Sequence, residues 1–491
     1  MIFKAGVASV FVLIATAARV QAGDSGDLGL KDPIPDNLSW HGVTLYGTID
    51  LDYAYQTHGV PLGASFYPGL EYNISGSKNA NKPISSLAES GLEQSKIGLK
   101  IEEPIGNGWV AIGKLEAGFD PLSGELADAC ASLVSNNGKP LTAQDANSDG
   151  SRCGQAFSGP AFAGVSNSTY GTLTAGRQQS LELDAISGYD PMGLPYAFSL
   201  IGYSGGSAAG IGNTETGRWD NSAKYVYQWG PAHAAGMYSS GGPGTAMFGG
   251  GYGFDAGAAY RGFSIDAVYT RENSAVSSSS IKPSATCPGT GCEGNVLSGT
   301  VTDSEAWSVM AKYVYDLGGF KDEGPGGKLS FYAGYVHIDM GNPQSPVAAG
   351  SETIGGYELL TVNNQPYAPG SNKVLQTFWA GAKYELASGL SFTAAYYRLG
   401  QDAYRTSAAA GTNTCAFITS GNRATAGFVG NPVAGNCAGD LNQVSFLIDY
   451  PLNKHFDVYS GISYSEVSGG LACGFLSGNT AAFVSGLRLK F

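Results

Sequence analysis

The chain repeatedly alternates apolar and polar residues over segments of about ten residues, and this period of two constrains the fold more than any other feature. In GVTLYGTIDLDYAY (residues 42–55), Val43, Leu45 and Ile49 share one face, while Thr44 and Asp50 share the other. Each such segment predicts a strand with one apolar and one polar face. The alternation recurs at 96–102, 112–119, 172–177, 222–229, 263–270, 307–315, 329–336, 378–386, 390–397, 444–450 and 456–464.

The connections between these segments are of two kinds, short and long. The short ones read EEPIGNG, NSTYG, WGPAH, RGF, ELASG and YPLNKH, and the long ones span 56–91, 121–155, 179–216, 273–303, 340–373 and 402–439. A compact soluble domain rarely carries so many loops above about 15 residues. A membrane barrel does, and its closure satisfies every backbone group within the lipid. We therefore predict an all-β fold, a transmembrane antiparallel β-barrel of about 16 strands with short periplasmic turns and long external loops.

The first residues, MIFKAGVASVFVLIATAARVQA, have the pattern of a secretory signal peptide. Lys4 precedes an apolar stretch that is too short to span a bilayer, and small residues end at Ala22. We predict a signal peptide over 1–22 and a single barrel domain over 23–491. The net charge of −13 leaves no basic footprint for nucleic acid.

The seven cysteines fall in polar loops of a chain that is predicted to be secreted, where disulfides persist. Their spacing favours three pairs within single loops and leaves Cys473 over. The pairs are Cys130–Cys153, Cys287–Cys292 and Cys415–Cys437. No CxxC motif is present, so zinc-binding and thioredoxin-like readings are weak.

Two further features of the sequence bear on metal binding and catalysis. DANSDG supplies Asp145, Asn147 and Asp149 at the spacing of a calcium loop, but Ala156 stands where a bidentate Glu is needed. The segment is a weak candidate for a Ca²⁺ site, and the alternative interpretation is an ordinary Asx-rich turn. None of the five histidines lies in a recognisable nucleophile motif and no HExxH motif occurs in the sequence, so we expect no enzyme and no cofactor.

Several blocks resemble the general, non-specific trimeric porins of Gram-negative outer membranes. They are GVTLYGTIDLDY, QSKIGLKIEEPIGNGWVAIGKLEAGF, AFAGVSNSTYGTLTAGRQ, RWDNSAKY and the closing GLRLKF. The resemblance implies a water-filled barrel, assembled as a homotrimer in the bacterial outer membrane, that passes ions and small hydrophilic solutes. It also implies contact with membrane lipid and lipopolysaccharide, delivery by periplasmic chaperones, and a terminal Phe491 read by the barrel-assembly machinery.

The resemblance further implies that the third external loop, after Gly176-Arg177-Gln178, folds into the pore. The expected constriction consists of an acidic loop facing a basic wall, with Glu182, Asp184 and Asp190 on the loop and Lys96, Lys114 and Arg218 on the wall. Alternation independently points Lys96 and Lys114 inward. Gly159 stands where the family usually has an Arg, so we expect a more acidic lumen and a mild preference for cations.

Arg177 shares a face with the apolar Leu173, and a cation facing lipid costs about 2–4 kcal/mol at mid-depth. Family members use their second loop to latch onto a neighbouring subunit, and here that loop offers Glu125 and Asp128. We predict that Arg177 helps to hold the trimer, the alternative being an Arg that reaches the lipid headgroups. For the whole chain, the alternatives to a general porin are a substrate-specific channel for a sugar or organic ion, and a structural or adhesive barrel.

Overall fold

The computed structural model describes residues 38–58, 83–138, 153–201, 216–281, 294–319, 327–407, 437–472 and 478–491. The predicted signal peptide, the calcium candidates Asp145, Asn147 and Asp149, and four cysteines lie outside these ranges; the cysteines are Cys287, Cys292, Cys415 and Cys473. No α-helix within the described ranges is both long and apolar enough to cross a membrane.

The described residues form twenty strands and two short α-helices. The strands are β1 (Ser39–Trp40), β2 (Val43–Gln56), β3 (Ile84–Glu89), β4 (Lys96–Gly106), β5 (Trp109–Gly118), β6 (Ala161–Asn167), β7 (Gly171–Gln179), β8 (Arg218–Trp229), β9 (Ala232–Ser239), β10 (Gly251–Tyr260), β11 (Phe263–Ser279), β12 (Val296–Asp316), β13 (Gly327–Gly341), β14 (Thr353–Ile354), β15 (Tyr357–Asn363), β16 (Lys373–Leu386), β17 (Ser391–Gln401), β18 (Gly439–Pro451), β19 (Phe456–Val467) and β20 (Asn479–Lys490). The helices are α1 (Ala129–Ser135) and α2 (Leu181–Tyr189), and 3₁₀ turns lie at Leu317–Gly319 and Gly469–Ala472.

The strands close into a 16-stranded antiparallel barrel, which confirms the predicted fold class. Both β3 and β4 pair with β2, one after the other, so they form a single barrel strand that is interrupted at residues 90–95. Three short strands lie outside the barrel wall: β1 pairs with the start of β2, and β14 and β15 form a hairpin in an external loop. The extended end of β12 pairs in parallel with β15.

The two faces of each wall strand follow the alternation seen in the sequence. On β2, Leu51 and Tyr53 are exposed on the outer face, whereas Asp50 and Asp52 are buried on the inner face. A water-soluble barrel would show the opposite arrangement, whereas an exposed apolar belt is typical of a transmembrane barrel.

The last strand closes the barrel against the first. β20 pairs with β2 from Thr48 opposite Lys490 to Gln56 opposite Ala482, and Phe491 extends the backbone pairing by one residue. Its backbone N–H donates to Gly47 O at 3.1 Å and its carbonyl accepts from Gly47 N at 2.9 Å. A Cβ atom on Gly47 would lie 2.4 Å from the Phe491 ring, so this glycine leaves the space that the terminal ring fills.

The second external loop packs against its own barrel. A disulfide joins Cys130 to Cys153, and the buried pair belongs to an apolar cluster with the outer parts of β11, β12, β14 and β15. The Asp128 carboxylate caps α1 and also accepts a hydrogen bond from Tyr357 Oη at 2.6 Å. Burial and this carboxylate raise the pKa of Tyr357. Cys437 is also disulfide-bonded.

Candidate functional site

The third external loop enters the barrel and lies along its inner wall. Ser180 begins α2 by accepting a hydrogen bond from Leu183 N at 3.2 Å. The buried side chains of Leu181, Leu183 and Ile186 then pack α2 against the inner face of strands β9 to β13. Burial of these apolar groups, which strand alternation cannot reveal, fixes the position of the loop.

Two hydrogen bonds anchor the end of α2 to the next part of the wall. Trp379 Nε1 donates to Tyr189 O at 2.9 Å, and Tyr397 Oη donates to Asp190 Oδ1 at 2.5 Å. A Cβ atom at Gly381 would lie 2.5 Å from the Pro191 ring, so the wall has a glycine where the loop presses against it. The loop is therefore fastened to β16 and β17 as well as to β11 and β12.

Further along, the same loop reaches the closing strands of the barrel. Gln443 Nε2 on β18 donates to Phe198 O at 3.0 Å, and Ala197 N donates to Gly91 O at 3.1 Å. Gly461 on β19 leaves room for the Phe198 ring. The loop thus covers the inner wall from β9 round to the interruption between β3 and β4, and leaves the wall from β4 to β8 facing the remaining space.

The three predicted loop acids occupy different environments. Asp184 is the one directed to the interior space: its side chain is 41% exposed, and its Oδ2 lies 2.6 Å from Lys224 Nζ on β8. Glu182 is buried and accepts a hydrogen bond from Ser308 Oγ at 2.7 Å. Asp190 is also buried, held by Tyr397 and by the backbone of the loop. The structure therefore places Glu182 and Asp190 between loop and wall, where they position the loop rather than line the passage.

The three predicted wall cations gather around one carboxylate, that of Glu116 on β5. Lys114 Nζ lies 3.3 Å from Glu116 Oε2, and both Lys96 and Arg218 are close enough to act on it electrostatically. Tyr46 Oη donates to the same oxygen at 2.9 Å. Lys96 and Lys114 remain partly exposed, as inward-facing residues beside open space should be, whereas Arg218 is buried.

The position where the family usually carries an Arg lies directly against this cluster. A Cβ atom at Gly159 would be 2.5 Å from Glu116 Oε1, so any side chain there must displace the carboxylate. Gly159 N also donates to Glu116 O at 3.1 Å. The glycine leaves Glu116 in place at the wall with one cation fewer than the family pattern.

The structure gives Arg177 partners within its own chain, and its predicted contact with a neighbouring subunit stays a prediction. It is 8% exposed, and its Nη1 lies 2.7 Å from Asp220 Oδ1 on β8. Its Nε and Nη2 donate to the carbonyls of Gly159 and Ser158 at 3.1 and 2.8 Å. A buried Asp–Arg pair with satisfied donors removes the cost of a lipid-facing cation. Asp128 is engaged with α1 and Tyr357, whereas Glu125 stays exposed.

Sequence reasoning missed two residues that shape the site. The alternation in SAKYVYQW does place Lys224 on the inner face, but the acid that meets it depends on the fold of the loop. Asp50 accepts hydrogen bonds from the backbone N–H groups of Leu92 and Glu93, both at 2.8 Å. It thereby holds in place the interruption between β3 and β4. Asp50 is 42 and 43 residues away from its two partners in the sequence, so only the folded structure shows that they are in contact.

The chain was compared with known proteins and structures. The Gram-negative porin family model matches residues 8–470. A similar solved structure is an anion-selective porin from Comamonas acidovorans, 16% identical, with a TM-score of 0.53, covering 91% of this chain and 99% of that one. Another is the trimer form of OmpT, an outer membrane protein of Vibrio cholerae, 12% identical, with a TM-score of 0.50, covering 91% and 99%. No curated protein matches the chain. At these identities the structural likeness shows the fold alone.

Proposed function

The chain belongs to the Gram-negative porin family and is an outer-membrane channel for small solutes, and we propose that it is a general porin with a mild preference for cations. Solutes would pass by diffusion through the space between α2 and the wall from β4 to β8. The observation that carries this proposal is the partial exposure of Asp184, Lys114 and Lys96 inside the barrel. Charged side chains that remain exposed inside the barrel require water around them. A water-filled space between α2 and the wall is a path through which hydrophilic solutes can diffuse.

The mild cation preference is supported by the balance of charge at this passage. Glu116 offsets part of the positive charge of Lys96, Lys114 and Arg218, and Gly159 adds no further cation. Asp184 likewise offsets Lys224. Among the partly exposed side chains, Asp184 and Glu93 balance Lys96 and Lys114, and the absence of a further cation at Gly159 removes charge that would favour anions, so the proposed preference for cations is only mild.

Liposome swelling with sugars of graded size tests diffusion against the alternatives. Rates that fall with solute size alone support a general porin. Saturable uptake that depends on solute chemistry instead indicates a substrate-specific channel, and absence of swelling indicates a structural or adhesive barrel. Reversal potentials in planar bilayers test selectivity, and a measured preference for anions refutes that part of the proposal.

We propose that the channel assembles as a homotrimer, and that Arg177 and the exposed Glu125 support the subunit contact. The OmpT trimer form has the same fold, and the ion pair of Arg177 with Asp220 links β7 to β8. Trimer melting on unheated gels tests this idea. Arg177→Ala should lower the melting temperature of the trimer, and Glu125→Gln tests the loop separately. If neither variant melts earlier than the wild-type protein, these residues do not hold the trimer.

The remaining steps concern delivery to the membrane. We propose that the signal peptide is removed after Ala22 and that chaperones carry the chain to the barrel-assembly machinery, which reads Phe491. The folded barrel then contacts lipid and lipopolysaccharide through its outer face. Mass spectrometry of the mature chain should show Gly23 at its N-terminus, and any other first residue refutes the cleavage position.

A further inference from the structure

Three potential metal ligands meet on the inner face of neighbouring strands β9, β10 and β11. His233 Nε2 lies 3.0 Å from Asp266 Oδ1 and 3.2 Å from Asp255 Oδ2, and the three ligand atoms all lie within 4.8 Å of one another. We propose that this cluster, the His233 site, binds a divalent first-row transition metal ion, with Zn²⁺ as the ion to test. Neither the family assignment nor the charge pattern of the passage requires such a site.

The strand register explains how the three side chains come together. Gly257 on β10 is the cross-strand partner of both His233 and Asp266, so it stands between them in one row. A Cβ atom at Gly257 would lie 1.4 Å from Asp266 Oδ1 and 2.6 Å from His233 Cε1. Asp255 is two residues away from Gly257 and therefore on the same face. The glycine makes the space into which the imidazole and the two carboxylates converge.

The spacing of the donor atoms suits a common ion. Three donors bound about 2.1 Å from one metal lie about 3.0 to 3.4 Å apart in octahedral or tetrahedral geometry. The separations from His233 to each carboxylate, 3.0 and 3.2 Å, fall in this range. The two carboxylate ligand atoms lie within 4.8 Å of each other and would draw closer around a bound ion.

The carboxylates themselves give a second, independent indication of a ligand. Oδ1 of Asp255 is buried and has no hydrogen-bond partner in the part of the chain that the structure describes, and the buried Oδ1 of Asp266 has the His233 ring nitrogen 3.0 Å away. Asp266 is only 7% exposed. A buried carboxylate oxygen without a partner is costly, and a bound cation would remove that cost.

Access and orientation also fit. The His233 side chain is 32% exposed, so an ion can enter from the barrel interior and keep water as its remaining ligands. The Tyr189 hydroxyl at the end of α2 interacts with Asp266 and Ser264 through hydrogen bonds, which orients the carboxylate.

The donor set selects the class of ion. One imidazole nitrogen with two carboxylate oxygens suits Zn²⁺, Ni²⁺, Co²⁺ and Cu²⁺. Ca²⁺ and Mg²⁺ favour oxygen ligands alone and a larger or more regular shell. The His233 site should therefore bind Zn²⁺ in the presence of excess Mg²⁺.

Binding is tested by titrating Zn²⁺ alone into the purified full-length barrel in detergent, followed by calorimetry, with excess Mg²⁺ present. We expect one Zn²⁺ per chain, and a loss of affinity of about tenfold or more in His233→Ala and in Asp266→Asn. The matched control is His337→Ala, because His337 is stacked on Trp307 with ring centroids 5.6 Å apart and has no part in the cluster. Heat-modifiable migration on gels verifies that each variant is folded.

No saturable binding, or equal binding by the wild-type protein and both cluster variants, overturns the proposal and leaves an ion pair of His233 with the two carboxylates. A second readout rests on the proposed function. Asp184 on α2 is close enough to act electrostatically on Asp255. A metal ion bound at the His233 site would therefore offset the negative charge of Asp184 and should lower the preference for cations in planar bilayers. Calorimetry decides the site even if the protein does not conduct, so failure of the site and failure of the porin proposal are distinguishable.

Discussion

The pair formed by Asp184 and Lys224 offers a direct test of which charges control the passage. The two side chains join α2 to β8 at 2.6 Å, so their opposite charges largely cancel for a passing ion. Asp184→Asn leaves a lysine without its carboxylate and should shift selectivity toward anions. Lys224→Gln leaves the carboxylate and should shift selectivity toward cations. The two variants must therefore move in opposite directions.

The expected size follows from the distance at which an ion passes. At about 5 Å in water, one unit charge changes the free energy of an ion by about 0.8 kcal/mol, which is about fourfold in its local concentration. Because the same charge repels cations and attracts anions, the permeability ratio would change by about 16-fold at most. Screening over about 10 Å at 0.1 M salt reduces this, so we expect a change of about three- to tenfold in each variant.

Reversal potentials of purified channels in planar bilayers, measured across a tenfold KCl gradient, give the ratio directly. The matched control is Glu102→Gln, which breaks the Lys100–Glu102 pair of 2.9 Å near a short turn, where both side chains are more than half exposed. It makes the same change of charge away from α2 and should shift the ratio little. Shifts of the same sign in the two test variants, or an equal shift in the control, would refute the argument.

Three further predictions concern the loops and the closing strand. Tyr397→Phe removes a hydrogen bond to the buried Asp190 carboxylate, worth about 1.5–3 kcal/mol, and should increase open-channel current noise as the loop loosens; unchanged noise would show that apolar packing alone holds the loop. Reduction of Cys130–Cys153 should speed proteolysis of the second external loop several-fold without changing barrel melting; equal cleavage rates would contradict this. Deletion of Phe491 should slow appearance of the heat-modifiable barrel on gels, whereas Phe491→Tyr should assemble normally.

The sequence allowed the barrel and the faces of its strands to be predicted because alternation is a local property. Alternation alone indicates that Lys96 and Lys114 belong to the inner face, and both side chains are partly exposed in the structure. Glu182 and Asp190 could not be placed, since they lie on a helix and its end, and the packing of that helix decides which side meets the wall. Arg177 illustrates the same limit: its face was readable, but its partner Asp220 comes from a neighbouring strand across a bulge.

Apolar residues at inner-face positions of the strands indicate where the third external loop packs. Val336, Leu375, Leu399 and Leu441 occupy inner-face positions in strands β13 to β18, yet they are apolar and almost fully buried. They form one cluster with Leu183 and other apolar side chains of the inserted loop. In a water-filled barrel, an apolar residue at such a position is stable only when another segment covers it.

The barrel wall is therefore divided by the chemistry of its inner face. Strands with apolar inner residues are covered by the loop, whereas strands β4 to β8 carry charged inner residues, of which Lys96 and Lys114 remain partly exposed. Burial of apolar surface at about 25 cal/mol per Å² pulls the loop to one side, and the cost of desolvating charges keeps it off the other. The position of the passage therefore follows from two effects on the third external loop, burial of its apolar side chains and avoidance of charged wall residues. The charge of the passage is set by the wall residues that the loop leaves uncovered.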